Sequence, residues 1–508
     1  MLSLPSSVAL YSTQQITQIE QSYANSISGS TFPLMQRAGK AAFNLLQRKW
    51  PEAKKILIVT GKGNNAGDGF VLARLAVESR FKVTLCTLVD PLETSGDALT
   101  AWHEIPHRAI HRVPVNQLRF SEFDLIVDAM LGTGIKGPLR EPFHSVIKHI
   151  NGNKVPVLAL DIPTGVEADT GFVNSEAVKA TSTITFVGHK RGMYTGDAAL
   201  YRGQVWLDSL QIPETIFDQH TFHLSSQNWH STMHKLKPRS VVAHKGNFGH
   251  TIIIGGSEGM AGAAVLASTS AAKSGSGLTS AWTGENAAAA LNHITPEVMA
   301  KATEVSDIEE QLNQIAEKEV TLVVGPGLGK NDWAQHWIDS ISARPRLCEA
   351  NQIWDADALN LLAELDSRHP NLYNSHRILT PHPGEAARLL KTTVDNIARD
   401  RFDAAHSIAT RYGGVCILKG AGTIISDEKG FQIVCAVGNP GMASGGMGDV
   451  LAGLVGGLLA QKYSLMDAAV LAVSIHGEAA DRAAGPKMRY RGLLAKDLLN
   501  HFAELLNP

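Results

Sequence analysis

The run Asn439-PGMASGGMGDVLAG carries the strongest chemical signal in the chain, because a glycine-rich turn passes directly into an apolar helical segment beginning near Val450. A helix start leaves backbone N–H groups without partners, and Gly441, Gly445, Gly446 and Gly448 leave room for an anion to approach them. Asp449 is the odd residue there, since a carboxylate repels the charge that such a cradle attracts. One explanation is a helix-capping aspartate. The long glycine context favours another, an acid or base acting on a substrate hydroxyl. Three more loops, Gly325-PGLG, Thr380-PHPGE and Lys419-GAGT, each follow an apolar strand and would meet at the carboxyl edge of one parallel sheet. His382 and Glu385 add polar side chains there, and Lys419 a counter-charge for phosphate.

A second constellation lies in the first half. Gly61-KGNNAGDGF sits between an apolar strand and a helix, but Gly61, Gly63 and Ala66 do not meet the G-x-G-x-x-G spacing of a dinucleotide fingerprint. Its wealth of side-chain oxygens (Asn64, Asn65, Asp68) suits a hard cation or a sugar hydroxyl instead. Asp128 and Asp161 also end strands, so Asn65, Asp128 and the Thr164 hydroxyl are candidate oxygen ligands at one sheet edge. With one or two carboxylates, a monovalent ion such as potassium fits better than a divalent one. Between the two aspartates, Asp128-AMLGTGIKGPLR offers glycines that can wrap an anion and the positive charge of Lys136. Taken singly, each aspartate is as well explained by capping a helix after a strand.

These residues need two frameworks to hold them. Short apolar runs ending in Gly or Asp and followed by helical patterns build one parallel sheet from Lys55-ILIVT, Val83-TLCTLV, Asp124-LIV and Val157-LAL. Another comes from Thr251-IIIGG, Val320-TLVVGPG, Arg377-ILTPHPG and Val415-CILKGAG, with Thr423-IISDEKG and Phe431-QIVCAV as an antiparallel edge. Domains are expected at residues 1–218 and 238–508, joined by a polar connector at 219–237. Its histidines, His220, His223, His230 and His234, fit no metal-ligand spacing, so a solvated linker is favoured. A net charge of −2 provides no global field for nucleic acid or an anionic membrane, which points to small molecules held by local donors. Cys86, Cys348, Cys416 and Cys435 are scattered and read as buried reduced thiols. The first basic residue is Arg37 and the longest apolar run, Val450 to Ala460, is about half a membrane span, so a cytoplasmic location is expected.

The motifs His244-KGNFG, Gly255-GSEGMAGAA, Gly325-PGLG, Asp355-ADALN, Thr380-PHPGE, Lys419-GAGT and Asn439-PGMASGGMGD, in that order over about residues 229–505, resemble the ADP-dependent NAD(P)H-hydrate dehydratases. Those enzymes, of the ribokinase-like superfamily, remove water from the hydrated nicotinamide ring of NADH or NADPH at the expense of ADP or ATP. The resemblance implies that Asp449 is the base activating the ring hydroxyl for phosphorylation, with magnesium accompanying the nucleotide. It places Lys419, Gly420, Ala421, Gly422, Thr423 and Gly448 on the nucleotide, with Gly445 and Gly446 in the same cradle. Ala263, His382 and either Gly327 or Gly329 would contact the hydrate. Met447 stands where related sequences often carry Thr or Ser, which matters little if the cradle is backbone.

Met35-QRAG, Asn64-NAGD, Asp128, Gly132-TGIKG and Asp161-IPTG, over about residues 10–215, resemble the NAD(P)H-hydrate epimerases, which interconvert the R and S forms of that ring. That resemblance implies substrate contacts at Asn64, Asn65, Ala66, Gly67 and Asp68 and at Gly132, Thr133, Gly134, Ile135, Gly137 and Pro138, with Asp161 and Lys136 as acid and base. Ala66 replaces a usual glycine and Thr164 a usual serine. The fold expected is α/β, a doubly wound Rossmann-like domain followed by a ribokinase-like one. The expected protein is a bifunctional repair enzyme, assembled as a homo-oligomer. The competing reading is a small-molecule kinase with a non-catalytic N-terminal binding module. Whether ADP or ATP is preferred is left open at this level.

Overall fold

The computed structural model describes residues 7–27, 29–220, 224–315, 320–344, 347, 349–366 and 372–508. The chain separates into two compact units, Ala9–Leu224 and Ser225–Pro508, the second also taking the first residues of the chain. Among the described residues no helix is long and apolar enough to cross a membrane. Cys86, Cys416 and Cys435 are buried free thiols, as expected, while Cys348 lies outside the described residues.

The N-terminal unit holds seven parallel strands in the order His111–Arg112, Lys82–Thr87, Lys55–Thr60, Leu125–Ala129, Val157–Leu160, Ser182–Phe186, Gln204–Asp208. The four read from sequence occupy the middle of the sheet. Their unbroken Ile, Leu and Val runs are buried on both faces, the pattern that helical cover on each side demands. The strand order reverses between Lys55–Thr60 and Leu125–Ala129. Loops leaving the carboxyl ends of those two strands diverge there and open a crevice.

The C-terminal unit repeats this logic with Met299–Ala302, Leu278–Thr283, His250–Ile254, Thr321–Val324, Asn351–Trp354, Arg377–Leu379 and Val415–Leu418, all parallel. Thr423–Asp427 and Gln432–Cys435 then add the expected antiparallel edge. Behind the sheet runs the almost wholly buried helix Met447–Ala460. Its glycines are explained by close approach: a Cβ at Gly453 would run into the Ala267 carbonyl, and one at Gly456 into Val323 of the sheet. Gly456→Ala is therefore expected to lower stability by about 1–3 kcal/mol through overpacking, read as a fall in Tm. An unchanged Tm would mean that helix and sheet separate more easily than their contact suggests.

The described part of the 219–237 stretch is not the solvated connector expected from its polarity. Trp229–Thr232 is a helical turn whose Trp229 is buried, its Nε1 donating to the Leu505 carbonyl at 3.1 Å. Lys235 pairs with Asp467 at 2.7 Å. A single tryptophan with a hydrogen-bonded indole is enough to dock a segment that otherwise lacks periodicity. His223 lies outside the described residues, and no group of three or more metal-binding side chains occurs among the described ones.

Candidate active sites

In the C-terminal unit the glycine-rich turn ends in Gly446, whose φ of +89° places it in the left-handed region that glycine adopts without strain. The helix then begins at Met447, three residues before the start read from sequence, because hydrogen bonding starts with Val450 N to Gly446 O at 3.1 Å. Among the described residues, no acceptor meets the backbone N–H of Gly445, Gly446, Met447, Gly448 or Asp449. Five consecutive free donors at the positive end of a 14-residue helix form an anion cradle. Asp449 is the third helical residue and not the cap, and its side chain accepts no N–H of its own first turn. The capping explanation fails on that geometry.

The other loops bring charge to the same place. Lys419 Nζ contacts Asp355 Oδ1 at 2.8 Å and lies 3.9 Å from Glu385 Oε2. A Cβ built on Gly448 would be 3.4 Å from Lys419 Nζ and 3.5 Å from Asp355 Oδ2, so the ion pair sits against the first turn of the helix. Asp355 is 1% exposed and also accepts from Thr380 Oγ1 at 2.6 Å. Glu385 accepts from His382 N at 2.8 Å, while Gly384 N and Glu385 N donate to His382 Nδ1. Arg401 donates to the Leu418 and Lys419 carbonyls at 3.2 and 3.3 Å, and so holds the Lys419-GAGT backbone from behind. Thr423 Oγ1 turns back onto the Gly420 carbonyl at 3.1 Å. Gly327 lies against Ala263, a Cβ on it falling 3.0 Å from the alanine methyl. Gly329 by contrast spends its N–H on Asp357 at 3.0 Å. Gly327 is thus the one of the two that packs beside Ala263.

Three carboxylates around one ammonium cannot all be comfortably charged in a half-buried site. Burial and the Asp355 carboxylate push Asp449 up to about 7 against the pull of Lys419. Burial likewise raises Glu385 to about 7. Burial would lower Lys419, but Asp355 and Glu385 outweigh it and hold the ammonium above its usual value. Burial and the nearby Lys419 depress His382, which favours a neutral imidazole. Sequence reasoning assigned Asp355 no role, although it ends a strand as Asp128 and Asp161 do; that shared position was the available signal.

In the N-terminal unit a cavity of about 920 Å³ opens at the reversal of strand order. Asn64, Asn65, Asp68, Asp161 and the whole of Gly132–Pro138 line it, as expected. Ala66 and Gly67 do not: Ala66 is fully buried, and Gly67 packs against Met35 and Ala98 on the inner face of the helix. A helix beginning at Asn64 turns those two positions inward, something a loop reading of Asn64-NAGD does not foresee.

Of the three candidate cation ligands, Thr164 bonds Asp128 directly, and Asn65 and Thr164 share the Leu131 backbone. Thr164 donates to Asp128 through both Oγ1 (2.7 Å) and N (2.8 Å), and Asn65 Nδ2 donates to the Leu131 carbonyl at 3.1 Å. Among the described residues Asn65 Oδ1 is buried with no hydrogen-bond partner, an acceptor left over that a cation would satisfy. Asp161, at φ +62°, turns its carboxylate onto Lys190, with Thr185 Oγ1 and Phe186 N each at 3.3 Å from the same oxygen. Lys136, expected as the acid–base partner of Asp161, lies exposed on the cavity wall, and the ammonium that contacts the Asp161 carboxylate is Lys190. Lys190 is 1% exposed and comes from beyond the next strand, where no local motif marks it.

Fold and sites together define an α/β enzyme with a cluster of carboxylates and a lysine in each unit, the C-terminal one beside a row of N–H groups that no acceptor among the described residues meets. Residues 31–192 match the family model described as YjeF-related protein N-terminus, and residues 251–503 the one described as NAD(P)H-hydrate dehydratase. The chain is 41% identical to the bifunctional NAD(P)H-hydrate repair enzyme Nnr of Coxiella burnetii, over 98% of this chain and 99% of that one. It is 38% identical to the protein of that name from Escherichia coli, over 100% of this chain and 95% of that one. An ADP/ATP-dependent NAD(P)H-hydrate dehydratase structure from Bacillus subtilis is 27% identical with a TM-score of 0.47, covering 55% of this chain and 95% of that one. The chain belongs to the family of bifunctional NAD(P)H-hydrate repair enzymes.

Proposed function

We propose that this chain restores damaged NADH and NADPH in two steps, the N-terminal unit interconverting the R and S hydrates and the C-terminal unit dehydrating the S form with ADP, yielding AMP and phosphate. The observation that carries the second step is the row of free N–H groups from Gly445 to Asp449 beside the Lys419 ammonium. A polyphosphate chain supplies the anionic oxygens those donors lack. Hydroxide is a poor leaving group. Asp449 takes the proton of the ring hydroxyl while its oxygen attacks the terminal phosphorus of ADP and AMP departs. The ring nitrogen lone pair then expels phosphate, and loss of a proton from the adjacent carbon restores the dihydropyridine. Lys419 and the helix donors stabilise charge on the transferred group. Magnesium would be carried by the nucleotide's phosphates, with the Asp355 and Glu385 carboxylates as the protein's oxygen donors. It neutralises phosphate charge when bound.

The first step is supported by the cavity holding Asp161 and Lys190, and the Asn65, Asp128 and Thr164 cluster is assigned to a potassium ion that props the Gly132–Pro138 loop. Thr164→Val removes one ligand oxygen and is expected to abolish the dependence of R-hydrate turnover on potassium, checked by replacing potassium with tetramethylammonium. A wild-type chain indifferent to that replacement excludes the ion.

A mixture of both hydrates with ADP should be converted completely to reduced dinucleotide, followed by its ultraviolet absorbance. Conversion stopping at the S fraction removes the epimerase, and accumulation of a stable phosphate ester makes the C-terminal unit a kinase. Because the base form of Asp449 is required, kcat/KM for the S hydrate should fall about tenfold per pH unit below about 7. The limb is at least first order, since Glu385 titrates in the same range. A profile flat down to pH of about 5 would falsify the assignment of Asp449 as base.

A further inference from the structure

Four carboxyls line the N-terminal cavity, Glu20, Asp68, Asp97 and Asp161; Asp97 accepts from the Thr31 hydroxyl, and the surroundings of the other three divide them into two kinds. Asp161 receives the Lys190 ammonium, the Thr185 hydroxyl and the Phe186 N–H on one oxygen, a set of donors suited to a carboxylate. Asp68 is 9% exposed and Glu20 half-buried, and among the described residues no hydrogen bond reaches either carboxyl. A nearly buried, unpartnered carboxyl facing a cavity is one whose partner is absent from the protein itself. Both lie within electrostatic reach of Asp161 and of the Lys190 ammonium. Burial, then the Asp161 charge, holds Asp68 well above the carboxylate range, while burial, partly offset by Lys190, brings Glu20 to about 7.

Epimerisation at a carbon bearing hydroxyl and ring nitrogen needs an acid and a base at once. Asp161, committed to three donors, can accept a proton but has none to give. We propose that Glu20, on the Thr13–Ile27 helix, is the catalytic acid of this cavity, giving its proton to the departing hydroxyl while Asp161 receives one from the water that replaces it. The C–O bond breaks with both electrons on oxygen, which leaves as water. The ring nitrogen lone pair forms the iminium, and a second water adds to the opposite face. The proton gained by Asp161 returns to Glu20 through solvent, so protons balance over the cycle and the reverse reaction uses the same pair. Glu20 is suited to the donor's place over Asp68 because its greater exposure lets it exchange with water between turnovers more readily than the 9% exposed Asp68. This inference rests on the epimerase reading of the cavity.

The test uses the full chain with ADP and mixed hydrates, where S-hydrate consumption gives a fast phase and R-hydrate consumption a slow one limited by epimerisation. Glu20→Gln should slow the second phase about 100-fold with the KM for the R hydrate little changed, remove the alkaline limb of its pH profile and leave the fast phase intact, with an unchanged denaturant midpoint for the N-terminal unit as the control for folding. Glu20→Asp should recover part of the rate. If Glu20→Gln keeps the slow phase while Asp161→Asn loses it, the acid is another group and the epimerase reading survives. If the rate falls but the alkaline limb persists, or Glu20→Asp behaves no better than Glu20→Gln, Glu20 is structural and the proposal is overturned. If neither Glu20→Gln nor Asp161→Asn touches the slow phase, the epimerase reading itself fails.

Discussion

Asp449→Asn should reduce dehydration of the S hydrate by about 1,000-fold while ADP binding stays as tight as in the parent or tighter. Asparagine keeps the shape of the side chain but cannot take a proton from the ring hydroxyl. The donors proposed to hold the phosphates are backbone N–H groups of Gly445 to Asp449 and the Lys419 ammonium, none of which the substitution removes. Deleting a carboxylate from an anion cradle also deletes a repulsion, one already visible in the rise of Asp449 to about 7 under burial and the Asp355 charge. Turnover would be followed as reduced dinucleotide and ADP affinity by calorimetry. Weakened ADP binding would mean that Asp449 organises the cradle, and the base would have to be sought at Asp355 or Glu385.

The second large effect is expected at Asp161→Asn, which should stop R-hydrate turnover, again by about 1,000-fold, while S-hydrate turnover in the same chain continues. Asparagine is the informative replacement because it tolerates the positive φ of 62° that a β-branched residue would not. The loss has a structural component. Lys190 is 1% exposed, and removing its carboxylate leaves a buried ammonium without a counter-charge, which costs about 3–5 kcal/mol when a buried pair is broken. Denaturant unfolding should therefore show the N-terminal unit weakened and the C-terminal one unchanged. Lys190→Met together with Asp161→Asn should restore that stability but not the turnover, separating the two effects. Retained R-hydrate turnover in Asp161→Asn would remove Asp161 from the chemistry.

Much of this was legible in one dimension. Strands such as Lys55–Thr60 and Val157–Leu160 announce themselves because a parallel strand buried on both faces must be a continuous apolar run. The anion cradle was legible because a row of free N–H groups needs glycines followed by a helix, all local in the chain. So was the placement of Asn65, Asp128 and Thr164, each at the end of a strand or the start of the next helix, positions that parallel topology brings to one edge. The docking of Trp229 was not, because a short polar stretch tied down by one indole has no period to read.

By itself the sequence determined two parallel α/β frameworks, the glycine-rich turn at the start of the buried helix and the family to which the chain belongs, since each depends on residues close together along it. Only the tertiary structure decided which ammonium faces Asp161, that Ala66 and Gly67 turn inward, that Asp355 anchors Lys419, and that Glu20 from the first helix enters a cavity built by later strands. Those are meetings of residues from different elements, and their electrostatic consequences arise only when burial removes the water that would otherwise screen them.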